Sequence, residues 1–484
     1  MIVRLLRQIF FRNPASVAYW LLAALAGRTL YYMLELHFMG QVGAPTGVWG
    51  IYYDDSYFAP VRNFIHEGSY TPDDRMPGLG IIYLPLALFF TPVKALNIFI
   101  LAQVLVSALS VYVLAITARR AFNHNFFFYT VFYLYLISPF TAISDSSPAS
   151  ESFCTSLLIF STYYFQKALD KNRIIFFFLS GTLLTWASFI RPAHFPLLII
   201  FTVIGIVSLL KSKVKLLSYV FIYMAPFLIT EGAWITRNYF RYHKFIPTLH
   251  SIYLASCKDT YRYPIWQLER AWGLEDWRID WLTEKDNGNI LKENVALPYV
   301  VYTSKYNADT MRAFKMFLNR ATIRYAYKRG DETIYVDSVS NANRRIIEDR
   351  CRKYIHSLKQ EKPFQYYILS RLHLITDYFK LSVFSNFEEP YMCTFGAITY
   401  YFTLFAGIAG IILMAGYCIR LERQSLFAFI PLYSVFIHPV IFRLAQNRYF
   451  VPSYPFLVVC AAYTLYLLYC KAITNKSIRS RKQQ

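Results

Sequence analysis

The stretch "GLGIIYLPLALFF" (residues 78–90) decides how the chain is threaded. It is apolar throughout, yet thirteen residues are too few to cross a bilayer as a helix, which takes about 20, and Pro85 interrupts the run. Counting it as a span would invert every later segment. On that reading Arg119 and Arg120 would move to the side opposite the basic N-terminal run "MIVRLLRQIFFR". Left as a short helix dipping into the membrane surface, it leaves ten longer apolar runs, roughly 15–38, 93–118, 126–141, 151–168, 174–190, 193–210, 216–236, 396–418, 425–442 and 452–470. With the N-terminus cytoplasmic, ten alternating spans bring "ARR" (118–120), "KALDKNR" (167–173), "KSKVK" (211–215), "RLER" (420–423) and the basic C-terminal tail to the cytoplasmic side. That is the bias of polytopic membrane proteins.

Composition agrees. The 484 residues are 56% hydrophobic and 19% aromatic, only 16% are charged, and the mean hydropathy is +0.31; soluble domains carry about 25% charged residues. The formal charge of +21 does not point to nucleic acid, because the cations flank apolar runs instead of covering a soluble face. The apolar run at 15–38, after the basic N-terminal residues, is too long for the core of a cleaved signal and is read as a retained first helix. The expectation is an all-α polytopic membrane protein of about ten spans, with both termini cytoplasmic. Residues 1–236 form a transmembrane catalytic module whose first outer loop is 39–92. Residues 237–392 form a long extracytoplasmic segment, and 393–484 the last three helices and tail. At that length the outer segment is a folded cap and not a connector.

The seven cysteines show no metal-ligand spacing. Cys154, Cys418, Cys460 and Cys470 belong to apolar runs; Cys257, Cys351 and Cys393 leave room for one disulfide in the outer segment.

Acids gather just after the first span. "YYDDSYFAPVRNFIHEGSYTPDDRMPGLG" (52–80) holds Asp54, Asp55, Glu67, Asp73, Asp74 and Arg75. Asp54-Asp55 could cap a short helix, or one carboxylate could accept a proton from a hydroxyl or amine. Neighbouring acids disfavour each other's charge, which suits that task. Other polar residues sit at the expected outer helix ends: Glu151, Arg191 with His194, Glu231 with Arg237, and His438, Arg443 and Arg448. Singly, each could be an interface anchor. Several cations on the side that short loops normally keep free of them would suit a phosphate that is bound and then expelled. The helix centres carry almost no charge and there is no internal repeat, which weighs against a flippase or carrier. An O-antigen ligase or polymerase stays open as the other alternative.

The stretch 54–90 resembles the first outer loop of GT-C membrane glycosyltransferases of the family 39 kind, which include protein O-mannosyltransferases and bacterial aminoarabinose transferases. Asp54-Asp55-Ser56-Tyr57 matches their Asp-Glu-x-Tyr pattern, with Asp where Glu is usual; Arg75-Met76-Pro77-Gly78 matches the Arg-x-Pro step before a short apolar helix. Glu151, "RP" (191–192), "RNY" (237–239) and "RYFVPSYP" (448–455) are similar to further features of that family. The resemblance implies an extracytoplasmic site in a bacterial cytoplasmic membrane. It implies inverting transfer of a sugar from a polyprenyl-phosphate donor to a glycan, lipid or protein acceptor. Asp54 would be the base, with Asp55 second. Arg75, Arg191, Arg237 and Arg448 would hold the lipid phosphate, and Tyr57, Glu151, His194, His438 and Tyr449 would be further site residues. No cofactor is demanded; a divalent metal is possible near the aspartates.

Overall fold

A computed structural model describes residues 13–40, 43–68, 70, 75–210, 216–243, 245–247, 262–273, 285–286, 290–291, 299–329, 332–381 and 390–482. The chain divides into two compact units. One comprises residues 1–250, 381–434 and 448–484, the other residues 251–380 and 435–447.

The first unit is a helical bundle. Its helices are α1 (Val17–Met39), α2 (Ala59–Glu67), α3 (Gly78–Phe89), α4 (Pro92–Phe122), α5 (Asn125–Leu136), α6 (Glu151–Lys171), α7 (Ile174–Ile190), α8 (Phe195–Leu210) and α9 (Leu216–Tyr242). Those of the second unit are α10 (Arg262–Trp272), α11 (Ala308–Ala321), α12 (Asn341–Glu361) and α13 (Ser370–Phe379). The chain ends with α14 (Pro390–Leu413), α15 (Leu426–Val435) and α16 (Tyr454–Lys482).

Among the described residues, seven helices are long and apolar enough to cross a membrane. An eighth span is made if α5 and the segment Pro139–Asp145, bent by 59° across the break between them, count as one. The chain is an integral, multi-pass membrane protein. Helix α7, seventeen residues long, is apolar but falls short of that test. Helix α6 is long enough but has Glu151, Asp170 and five Ser or Thr among its residues, and it is buried along most of its length. Burial lets it be more polar than a lipid-facing helix. Stretch 78–90 forms the twelve-residue α3.

Helix ends follow local chemistry. Asn123 and Asn172 close α4 and α6 in the left-handed conformation, which Asn tolerates better than most residues. His124 Nδ1 accepts from the Phe126 amide at 3.1 Å to open α5, and Pro192 stops α7. Helices α7 and α9 cross closely at Gly181, where a Cβ would lie 2.0 Å from the Tyr223 carbonyl oxygen. At one end of the bundle the basic tracts meet: Arg120 and Arg423 both pair with Asp170, and Gln424 donates to the Ala121 carbonyl.

One expectation is corrected. The first span is not free of charge: Arg28 and Glu35 in α1 are each 1% exposed. Arg28 is 3.5 Å from Asp145, and the Ser146 hydroxyl donates to Glu35 at 2.6 Å. A long apolar window averages such residues away, but buried charge survives in a bundle when it is paired.

The second unit has its own apolar core, in which Leu268 and Trp272 of α10 meet Phe314 and Leu318 of α11 and Ile347, Cys351 and Leu358 of α12. Asn307 and Ser340 cap α11 and α12. Between those helices runs an antiparallel hairpin, β1 (Thr322–Arg329) and β2 (Glu332–Val339), in register from Thr322–Val339 to Arg329–Glu332. A shorter ladder pairs Lys285–Asp286 with Ile290–Leu291. The helical reading of the sequence did not include these strands. The segment 435–447 joins this unit: Arg443 donates to the carbonyls of Arg270 and Tyr366 at 3.1 Å and covers the Tyr366 ring at 4.2 Å. Cys351 is a free thiol, as are Cys154, Cys418, Cys460 and Cys470. Cys257 lies outside the described residues, as do Asp73 and Asp74.

Candidate functional site at one end of the helical bundle

Asp54 opens a single turn of 3-10 helix, Asp55–Tyr57, and caps it. Its Oδ1 accepts from the Ser56 amide at 3.2 Å and from the Ser56 hydroxyl at 2.6 Å. Its Oδ2 accepts from Arg75 Nη2 at 3.0 Å, and Arg75 Nε donates to the Ser56 oxygen at 2.8 Å. The Arg75 guanidinium also lies over the Tyr57 ring at 4.4 Å. The carboxylate is thus fixed from two sides while its side chain stays 17% exposed.

Arg75 is in place because α3 starts where it does. Gly78 lies against the end of α7, where a Cβ would fall 2.4 Å from the Phe189 carbonyl carbon; Trp186 Nε1 donates to the Gly78 carbonyl at 2.9 Å. The glycine of "RMPGLG" is needed for this close approach.

Tyr57 carries the site inward. Its hydroxyl donates to Ser150 Oγ at 2.9 Å, and the Ser150 hydroxyl reaches Glu151 Oε2 at 3.2 Å. Burial, more than any neighbouring charge, raises the Tyr57 phenol above its ordinary value. Glu151 Oε1 pairs with Arg191 Nη1 at 3.2 Å, both side chains 10% exposed. Arg191 in turn donates to the Arg448 carbonyl at 3.4 Å. The rings and cations alternate, with Arg191 5.0 Å and Arg448 5.3 Å from the Tyr449 centroid. Tyr52 completes the group. Its phenol is raised by burial first and then by Asp54, and it also feels the charges of Arg448, Glu151 and Arg75.

Arg75, Arg191 and Arg448 face Asp54 and Glu151, three guanidiniums against two carboxylates. The set carries one excess positive charge.

Of the residues expected from the sequence, Asp54, Tyr57, Arg75, Glu151, Arg191, Arg448 and Tyr449 come together. Asp55 points elsewhere: Arg62 donates to both of its oxygens at 2.6 and 2.8 Å, and the Tyr53 hydroxyl bonds it too. The adjacent acids therefore do not act as a pair; each has its own arginine. Arg237 donates to Tyr70 O and to Asn238 Oδ1, and lies 4.9 Å from the Trp234 ring. His194 is buried in the turn Pro192–His194. His438 belongs to the second unit, where its ring stacks on Tyr378 at 6.1 Å. Among the described residues no three His, Cys, Asp or Glu side chains gather as a metal site.

Tyr52, Ser56 and Ser150 were not singled out by sequence reading. Ser56 had a signal, since a serine two positions after an aspartate is the spacing of a side-chain-to-backbone turn.

No family model matches the chain, and no curated protein matches it. Along nearly its whole length it is similar to solved structures of the archaeal oligosaccharyltransferase AglB from Archaeoglobus fulgidus, a GT-C fold glycosyltransferase. The complex of that enzyme with an inhibitory peptide and a dolichol-phosphate matches at 14% identity and a TM-score of 0.49, covering 96% of this chain and 52% of that one. Its apo form matches at 14% identity and 0.46, with the same coverage of 96% and 52%. The form tethered to an acceptor peptide containing the NVT sequon matches at 14% and 0.48, covering 95% and 51%. The chain spans about half the length of these structures.

Proposed function

We propose that the chain is a membrane glycosyltransferase that moves a sugar from a polyprenyl-phosphate donor to a glycan, lipid or protein acceptor. The observation that carries this reading is the cluster itself: an oriented, partly exposed carboxylate beside a cation-rich, half-buried shelf with one excess positive charge. A lipid phosphate carrying a sugar is a phosphodiester with a single negative charge, which that shelf would neutralise. The order of Asp54, Arg75, Glu151, Arg191 and Arg448 along the chain also matches the motifs that resemble family 39 enzymes.

Chemistry follows from position. The acceptor's O–H or N–H proton passes to a lone pair of Asp54 that Ser56 and Arg75 do not use. The acceptor atom then bonds to the anomeric carbon from the face opposite the phosphate. The bond from that carbon to the phosphate oxygen breaks, its electrons remaining on the phosphate. Arg191 and Arg448 stabilise the charge that grows there. Inversion at the sugar is the consequence. The site would face the extracytoplasmic side, opposite the end where Arg120, Arg423 and Asp170 meet.

Transport of a lipid-linked sugar is the reading that Arg28 and Glu35 favour, because charges inside a membrane often mark a pathway. Their pairing with the turn at 141–146 gives them a role that needs no pathway.

The deciding experiment supplies the purified full chain with a labelled decaprenyl-phosphate sugar and a cell-envelope acceptor fraction. Label should appear in the acceptor, with the wild-type chain and not with Asp54→Asn. Transfer at equal rates by both would remove the mechanism.

A further inference from the structure

The turn at 143–152 supports both arms of the site. It ends in Ser150 and Glu151, and its Ser146 carbonyl accepts from the Ile51 amide at 3.0 Å, three residues before Asp54. Whatever fixes this turn fixes the two carboxylates relative to each other.

Two side chains from neighbouring helices hold it. Arg28 of α1 donates to the Tyr135 carbonyl at 3.4 Å and to Thr141 Oγ1 at 3.3 Å, and pairs with Asp145 at 3.5 Å. Its guanidinium also lies 4.7 Å from the Tyr135 ring centroid. Asp145 in turn accepts from the Ser152 hydroxyl at 2.5 Å, beside Glu151. Gln103 of α4 donates through Nε2 to the carbonyls of Ser144, Asp145 and Ser147 at 3.1, 3.4 and 2.9 Å. Both side chains are buried, Arg28 at 1% and Gln103 at 0%.

Such groups are costly in a bundle core unless they are satisfied, and apolar residues of similar volume would hold the helices together at least as well. What an apolar residue cannot do is fix a turn whose backbone carbonyls need donors. We infer that Arg28 and Gln103 are positioning residues: they lock the 143–152 turn, and through it set Asp54 and the Glu151–Arg191 pair in register for the lipid phosphate. The inference rests on the proposed function for its ligand, and on the geometry alone for its mechanical part.

Four variants of the full chain in detergent separate the two parts: Arg28→Met, Arg28→Lys, Gln103→Leu and Ser161→Ala. The last is the control, because Ser161 and Ser180 exchange hydroxyl contacts between α6 and α7 at 2.9–3.1 Å and hold no turn of the site. Decaprenyl phosphate is the probe, its binding read by native mass spectrometry. Arg28→Met and Gln103→Leu should weaken binding about tenfold, in the range of coupling through a contiguous network. Arg28→Lys should weaken it less than Arg28→Met, since one ammonium replaces a planar fork. Ser161→Ala should leave it unchanged. Hydrogen exchange supplies the ligand-free readout: amides at 50–57 and 146–152 should exchange faster in Arg28→Met and Gln103→Leu and not in Ser161→Ala. Unchanged exchange in those segments, or an increase spread evenly over the bundle, overturns the inference. If the wild-type chain binds no decaprenyl phosphate, the donor assignment falls and the exchange pattern decides the positioning role alone. If Arg28→Met does not fold, Arg28→Lys and Gln103→Leu carry the same comparison.

Discussion

Arg191 meets Glu151 at 3.2 Å in a place where each side chain is 10% exposed, and this pair joins the start of α6 to the end of α7. Removing one partner leaves the other charged and dry. Glu151→Gln should therefore cost about 3–5 kcal/mol of stability, the range for breaking a buried pair from one side. Replacing both, as Glu151→Gln with Arg191→Met, should cost less than the two single changes added. Melting of the purified protein in detergent, run as a double-mutant cycle, reads the coupling. Additive losses would mean that the pair is not coupled.

Asp54 and Asp55 differ in what holds them, so their variants should differ. Asp54→Asn keeps one acceptor oxygen for Ser56 but turns an NH2, which cannot accept, toward Arg75; it cannot take a proton, and turnover should fall by about 10²–10⁴, the usual contribution of a positioned base. Asp55 engages Arg62 and Tyr53 on a half-exposed surface. Asp55→Asn should change turnover less than about tenfold, through loss of a surface pair worth no more than about 1 kcal/mol. A dead Asp55→Asn beside an active Asp54→Asn would reverse the roles.

The order of site residues was legible in the sequence because they sit at helix ends, where the boundary between apolar and polar runs is sharp. Glu151, Arg191 and Arg448 were singled out that way, and Asp54 and Arg75 by the cluster of acids in the loop after the first span. Arg28 was not, since one cation in a 23-residue apolar helix barely alters a hydropathy window, and its partner Asp145 looked like an ordinary loop acid. The separation of Asp54 from Asp55 was also out of reach: adjacent residues share a sequence context, and only the 3-10 turn sends their side chains to different arginines. The segment 237–392 was read as a folded cap without the hairpin, although β1 carried a signal for it: Ile323, Tyr325 and Tyr327 alternate with Arg324, Ala326 and Lys328, the pattern of a half-buried strand.

In the second unit, Glu361 ties α12 to the turn before α11. The Ser304 amide donates to it at 2.7 Å and the Ser357 hydroxyl at 2.6 Å. Those bonds, Ser357 first, hold its carboxyl below the ordinary value. A depressed folded-state value means that the unfolded chain binds the proton more readily, so the contribution is present above the ordinary carboxylate range and lost as pH falls through the folded value. Unfolding of this unit, followed by exposure of the buried Cys351 thiol to 4,4'-dithiodipyridine, should come at lower temperature at about pH 3 than at about pH 6. Glu361→Gln should show a smaller difference between the two. Equal differences in both proteins would remove Glu361 from the account.

Orientation can be read without any substrate. Arg120, Arg423 and Asp170 meet at one end of the bundle, and the Asp54 cluster is built from the loops between the opposite helix ends. If the basic end is cytoplasmic, reporters fused near residues 60, 146 and 300 should lie outside, and those near 213 and 480 inside. A cytoplasmic signal at 146 would put the cluster on the wrong side for an externally supplied donor.

The donor is expected to be a lipid-phosphate sugar and not a nucleotide sugar, and the reason is electrostatic as well as topological. A nucleotide sugar presents a diphosphate with two negative charges, which enzymes commonly meet with a Gly-rich turn or a metal between paired aspartates. The sequence has no such turn and no Asp-x-Asp in the expected outer loops. In the described cluster Asp54 and Glu151 are each engaged by an arginine. What it offers is one excess positive charge and, beside Arg75, the apolar helix α3, whose Ile81, Leu88 and Phe89 are more than half exposed. An isoprenoid tail has a surface to lie on there; a nucleotide base has none of its usual polar partners. Arg448→Met should weaken decaprenyl phosphate binding by about 1.5–3 kcal/mol, the worth of a hydrogen bond to a charged group, and should reduce its salt sensitivity. Purified protein should transfer label from decaprenyl-phosphate sugar and leave a nucleotide sugar untouched when no polyprenyl carrier is present. Efficient transfer from the nucleotide sugar alone would overturn the donor assignment while leaving Asp54 as base open to the turnover test.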